Sequence, residues 1–173
     1  MTRAHRIILP ALLLLLVFLF PAVSLAGQYE VYRVVDGDTF VVKHGSVKLK
    51  IRMVGIDAPE ASTSKHRAGQ PFSRQSTQHL SSLILNKTVD VKSYGSDRNG
   101  RTLGEVFLPN GKNVNLEMIQ AGLAEVYRGK PAAGLDMGLY WKAEEEARAA
   151  KRGMWVLGDQ YVSPRDWRRT HGS

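Results

Sequence analysis

The stretch YEVYRVVDGDTFVVKHGSVKLKIRMV, residues 29–54, decides the fold. Tyr29 to Val35 is rich in Val and Tyr and alternates loosely. Asp36-Gly37 interrupts it as a turn, and Thr39 to Lys43 resumes as a second β-type run. His44-Gly45-Ser46 is the next turn. From Val47 to Val54 the alternation is strong. Val47, Leu49, Ile51 and Met53 share one face, and Lys48, Lys50 and Arg52 the other. A period of two is the mark of a half-buried strand. Three such runs joined by short turns predict an antiparallel meander.

Ala58-Pro59 closes the third run, and 61–70 is polar without periodicity, which reads as a loop. Phe72, Ser76, Leu80, Leu83 and Ile84 then recur at helical spacing, predicting an amphipathic helix over 71–85. Thr88 to Ser93 and Leu103 to Leu108 read as two more strands, separated by the polar segment Tyr94 to Arg101. After the Asn110-Gly111 turn, Leu116, Ile119, Ala121 and Leu123 suggest a short helix ending near Gly122. Residues 136–152 are rich in Ala and Glu and helix-prone. Glu144 and Arg148 form an i,i+4 pair in the favoured order, and the run Glu144-Glu145-Glu146 is expected to be a solvated helix face. Trp141 and Trp155 bracket this helix and are expected in the core. Ser163-Pro164-Arg165-Asp166 has the order of an N-cap, a first-turn proline and a first-turn acid, predicting a short terminal helix. The fold class is therefore α+β, mainly β: a five-stranded OB-type barrel with three main helices.

The N-terminus belongs to a different class of segment. Arg3, His5 and Arg6 precede an apolar run from Ile7 to Val23, and Ser24-Leu25-Ala26 offers small residues for cleavage before Gly27. That is the pattern of a secretory signal peptide over residues 1–26; the competing reading is an uncleaved membrane anchor. Residues 27–173 then form one domain, with 158–173 a basic C-terminal extension. The expected location is secreted or periplasmic, without stable membrane association if the signal is removed. The chain has no cysteine, so disulfides and thiolate-bound metals play no part. Its net charge is +8 and its pI about 9.9. Losing Arg3 and Arg6 leaves about +6. A small basic domain favours polyanions, among them nucleic acid, without choosing between them.

Three clusters carry candidate chemistry. The first is Asp36-Gly37-Asp38-Thr39, by itself an ordinary turn. The second runs from Arg52 through Asp57-Ala58-Pro59-Glu60, just past a strand end. The third is Asp97-Arg98-Asn99-Gly100-Arg101, by itself a charged hairpin. Asp38, Asp57 and Glu60 sit near strand ends of one meander, where they can converge, and hard divalent cations take carboxylate and carbonyl oxygens. Arg52 and Arg101 come from other strands, and arginine is the residue for bidentate phosphate recognition. Acids that hold a cation beside arginines that hold a phosphate make a phosphoryl-transfer site plausible chemistry. His44, His66 and His79 lack ligand spacing and are expected at the surface or in turns.

The order of these segments, with Asn113-Val114-Asn115 and Gln120-Ala121-Gly122-Leu123-Ala124 following, resembles the staphylococcal nuclease family over roughly Tyr29 to Trp155. The resemblance implies a calcium-dependent endonuclease cutting DNA and RNA with little base specificity, and a monomer. It implies that Asp38 and Asp57 are calcium carboxylates, that Ala58 ligates through its carbonyl, and that Glu60 is the general base. It implies that Arg52 and Arg101 bind phosphate, with Asp36 and Thr39 supporting the metal. The founding member carries a lysine and a tyrosine just before the second arginine; here Arg98 and Asn99 stand there, keeping the charge and losing the ring. The family's tyrosine near the base falls at Tyr127 or, one residue on, at Arg128. The segment Gln160 to Arg169, with Trp167, is either a packed cap or a nucleic-acid contact. The competing function is a non-catalytic OB-type module that binds nucleic acid, a role expected to go with loss of some of these charged residues.

Overall fold

The computed structural model describes residues 27–62 and 68–171. The signal-peptide reading of residues 1–26, the middle of the 61–70 loop and His66 lie outside the described residues.

The predicted meander is present as β1 (Gly27–Val34), β2 (Thr39–His44) and β3 (Val47–Met53). β1 pairs antiparallel with β2, with a bulge between Val31 and Arg33, and β2 pairs antiparallel with β3. After the two-residue strand β4 (Ile56–Asp57) comes α1 (Ser73–Ile84). Then follow β5 (Thr88–Ser96) and β6 (Thr102–Phe107). β6 runs parallel to β3 and antiparallel to β5, and β5 returns to β1, closing a five-stranded barrel in the order β1-β2-β3-β6-β5. Closure leaves the barrel no open edge.

The alternation places Val31, Phe40, Val42, Ile51, Val89, Val91 and Val106 in the core. Leu80 and Ile84 from α1 pack against them, as do Met118 and Ile119 from α2 (Val114–Gln120). Ser76 lies on the same buried face of α1, and its hydroxyl donates to the Leu123 carbonyl at 2.7 Å, so its burial leaves no unmet hydrogen bond. Asn113 caps α2 by accepting from the Leu116 amide at 3.1 Å. A two-residue strand β7 (Glu125–Val126) pairs with β4, and α3 (Gly138–Ala149) covers it. A 3-10 segment, Gly153–Gln160, leads to α4 (Pro164–His171). The Ser163 hydroxyl accepts from the Asp166 amide at 3.0 Å, the predicted cap.

Four expectations need correction. Val47 begins its strand at the barrel rim and is exposed. Trp141 is also exposed, with the Arg128 guanidinium 4.6 Å from its ring centroid, whereas Trp155 is buried as expected. Glu144 is not on a solvated face. β7 pairs on one side only, and Glu144 accepts from the Val126 amide at 2.9 Å and from Arg128 at 2.6 Å, so an acid is drawn inward to serve an unpaired strand. Finally, β5 continues through Tyr94 to Ser96, which the polar sequence marks as a loop.

Candidate functional site

The site is built where β1 turns into β2. The Val35 and Asp36 amides both donate to the Thr39 carbonyl, and Asp36 Oδ1 accepts from the Asp38 amide at 3.0 Å. Gly37 is required by closeness: a Cβ there would lie 1.9 Å from Ser76 Oγ and 2.7 Å from the Ala58 methyl. The turn therefore presses against α1 and the end of β4, and Asp38 points inward, only 2 % exposed.

Asp38 Oδ1 accepts from Thr39 Oγ1 at 2.9 Å and pairs with Arg52 Nη1 at 2.8 Å. Its Oδ2 accepts from the Ala58 amide at 2.9 Å. Thr39 and Arg52 are cross-strand partners in the β2–β3 register, which brings the arginine beside the turn. The other arm of Arg52, Nη2, donates to Asp57 Oδ1 at 2.8 Å. One guanidinium thus bridges two buried aspartates, the fork geometry that distinguishes arginine from lysine. Burial pushes the Asp38 carboxyl up to about 8 despite the pull of Arg52, and Asp36 and Asp57 push in the same direction. Burial works against the Arg52 charge, but Asp38, Asp57 and Asp36 outweigh it and raise its pKa above the ordinary value.

Glu60 stands past Pro59 on a loop clamped by Gln70. The Glu60 amide donates to Gln70 Oε1 at 3.0 Å, and its carbonyl accepts from the Gln70 amide at 2.9 Å. Its carboxylate is partly exposed. On the opposite wall, Asp97 organises the β5–β6 turn. It accepts from the Asn99 amide at 2.9 Å, the Arg101 amide at 3.0 Å and Arg101 Nε at 2.7 Å. Burial, the largest single influence, pushes the Asp97 carboxyl up, but these bonds together outweigh it and hold it below the ordinary value. Arg101 is therefore aimed by its own hairpin and makes no bond to Asp38 or Asp57.

A cleft of about 830 Å³ joins these parts. Asp36, Arg52 and Glu60 line one side, Arg98 and Arg101 another, and Tyr127 and Lys130 a third. Tyr127 is 42 % exposed there. Arg128 is turned toward Glu144 and Trp141, so the ring at the cleft belongs to Tyr127. Of the sequence-derived set, Asp38, Thr39, Arg52, Asp57 and Ala58 form one bonded unit. Asp36, Glu60, Arg98, Arg101 and Tyr127 share its cleft.

Among the described residues no group of three or more His, Cys, Asp or Glu side chains is gathered in the manner of a closed metal site. The pair Asp38 and Asp57 nevertheless fits a hard cation. Both donors are carboxylate oxygens. Asp38 is buried and repelled by two neighbouring carboxylates, an arrangement that added positive charge would relieve. The described groups fit an open site in which backbone carbonyl and water complete the shell.

One residue at the site had no counterpart in the sequence reading. Arg168 of α4 pairs with Asp57, Nη2 to Oδ2 at 2.7 Å and Nη1 to Oδ1 at 3.1 Å, and its Nη1 also bonds Glu60 Oε1. The bonds to Asp57 raise its pKa further and outweigh its partial burial. The packed-cap reading of the tail is thus the one the described residues match. No local signal marked Arg168, because its partners lie more than a hundred residues away in the chain.

Residues 50–156 match the family described as staphylococcal nuclease homologue. The chain is 39% identical over 159 residues to a protein of Escherichia coli O157:H7 named as an uncharacterized endonuclease, covering 90% of this chain and 94% of the relative. A similarly named protein of Haemophilus influenzae is 33% identical over 166 residues, covering 95% of this chain and 86% of the relative. A micrococcal nuclease of Shigella flexneri is 37% identical over 150 residues, covering 81% and 79%.

Proposed function

The chain belongs to the staphylococcal nuclease family, and from that premise we propose that it is a calcium-dependent endonuclease hydrolysing DNA and RNA. The observation that supports this most is that Arg52, Glu60 and Arg101 line one cleft, with Asp38 and Asp57 buried behind it and joined to it through Arg52. A module that only held nucleic acid would be expected to have lost some of these charged residues.

Asp38 and Asp57 would hold the calcium, with the Ala58 carbonyl beside them, and the bound ion would withdraw charge from a phosphate oxygen. Glu60, on its clamped loop, orients a water or takes its proton as that water attacks phosphorus in line; the opposite P–O bond breaks, and the sugar oxygen leaves and takes a proton from solvent. Arg52 and Arg101 supply donors to the phosphate oxygens as their charge grows. Arg52 already has its donors turned toward the aspartates, so a phosphate beside them adds to an existing network. Tyr127 offers a ring against which a base can stack, which favours any base and an unpaired strand. Nothing named reads a base edge, so little sequence preference is expected.

The leader-like N-terminus supports action outside the cytoplasm, where calcium is abundant enough for a weak site. The test is to incubate the protein with single-stranded DNA in calcium, in magnesium and with a chelator. Cutting in calcium that stops with chelator is expected. Binding without cutting in every condition would replace this reading with the non-catalytic module.

A further inference from the structure

The segment beyond the family match is tied to the site at several points. The Tyr161 hydroxyl donates to Glu125 Oε2 at 2.5 Å, and Glu125 is the β7 residue paired with Asp57. Its ring lies 4.6 Å from Trp155 between centroids. Gln70, which clamps the Glu60 loop, donates from Nε2 to the Val162 carbonyl at 2.7 Å. These contacts fix where α4 begins. Beyond its cap, α4 itself is lightly held: Pro164 is its one buried residue.

Arg168 is the exception on that helix. Asp57 Oδ1 accepts from both Arg52 Nη2 and Arg168 Nη1, which uses the two acceptor positions of that oxygen. Its Oδ2 accepts from Arg168 Nη2. Arg52 comes from a barrel strand and cannot leave. Arg168 comes from a short surface helix and can. A divalent ion approaching Asp57 meets the Arg168 charge first, and the two positive charges repel at a partly buried site where screening is weak.

We propose that Arg168 is a tethered counter-cation that competes with the divalent metal for Asp57 and Glu60, so that metal binding lifts its guanidinium from the carboxylates. The proposal rests on the reading of Asp57 as a metal carboxylate. Until a metal displaces it, Arg168 stays paired with both acids. With metal bound it is released at the cleft wall.

Calorimetric titration of the full-length protein with Ca²⁺ decides the matter, comparing wild type with Arg168→Ala, Arg168→Lys and Arg169→Ala. Arg169 carries the same charge on the same helix but is exposed and, among the described residues, forms an ion pair only with Asp166. Arg168→Ala should bind Ca²⁺ roughly tenfold more tightly. Arg168→Lys should fall between, and Arg169→Ala should match wild type. Linkage is reciprocal, so Ca²⁺ should speed amide exchange across residues 164–171 of the unmutated chain. That arm does not depend on any variant folding. Unchanged or weaker Ca²⁺ binding by a folded Arg168→Ala, or slower exchange in α4, would overturn the proposal and leave the nuclease reading standing. No Ca²⁺ binding by any form would overturn the metal assignment and this proposal together.

Discussion

Asn115 has no exposed surface, and every part of its amide is engaged. Its Oδ1 accepts from the Val106 amide at 3.0 Å, and its Nδ2 donates to the carbonyls of Val54 at 2.8 Å and Gly104 at 3.3 Å. It thereby joins β6, the end of β3 and α2 with one side chain. Asn115→Ala strands the Val106 amide and the Val54 carbonyl in the interior, at about 1–3 kcal/mol for each, while the Gly104 carbonyl keeps the Val54 amide at 2.9 Å. A loss of about 3 kcal/mol or more in urea unfolding is expected, and a loss below 1 kcal/mol would mean that water replaces the amide. Asn115 was visible in the sequence only as part of a family resemblance, because a polar residue in a short helix carries no sign of its burial. The site acids were easier to see. Asp38, Asp57 and Glu60 stand beside Gly37 or Pro59 at the ends of well-patterned strands, where position in the chain predicts position in space. Arg168 was not visible, since its partners lie more than a hundred residues away. Glu144 was misread because charge alone suggests solvent, whereas here an unpaired amide of β7 sets its place.

At the scale of elements, the contact between the end of α2 and the entry to the 3-10 segment depends on two glycines set back to back. Gly122 has φ +66°, and a Cβ there would lie 2.1 Å from the Arg152 carbonyl oxygen. Gly153 has φ +54°, and its Cβ would lie 2.2 Å from the Gly122 carbonyl oxygen. Gly45 supplies the comparison, with φ +59° and open space around it. Gly45→Ala should cost only the left-handed backbone penalty, about 1–2 kcal/mol. Gly122→Ala meets backbone that cannot yield and should cost clearly more in the same thermal or urea measurement. Equal losses would mean that the two segments separate freely. The main strands and helices were legible because each runs long enough to show its period. β4 and β7 have two residues apiece, too few for any period. The polar end of β5 was missed for another reason: the Ser96–Thr102 pairing is made by backbone groups, which do not register side-chain polarity.

Over the whole molecule the barrel could be read from strand order, but the individual pairings that close it could not. The parallel pairing of β3 with β6 and the return of β5 to β1 are long-range contacts that no single segment announces. Charge acts at the same scale. The chain carries +8, and the cleft exposes Arg98, Arg101 and Lys130 beside Arg52. If three or four of these meet phosphates, the logarithm of single-strand affinity should fall against log salt with a slope of about −2 to −3. That slope is best measured with Glu60→Gln, which should bind without cutting. A flat response would place binding away from the basic cleft. In the proposed hydrolytic site Glu60 handles the attacking water. The most direct measurement is single-turnover cleavage of single-stranded DNA in saturating Ca²⁺ by wild type and by Glu60→Gln. The account predicts measurable cutting by wild type and a rate lower by about 10²–10⁴ in the variant, with thermal stability preserved. A near-wild-type rate in Glu60→Gln would contradict it.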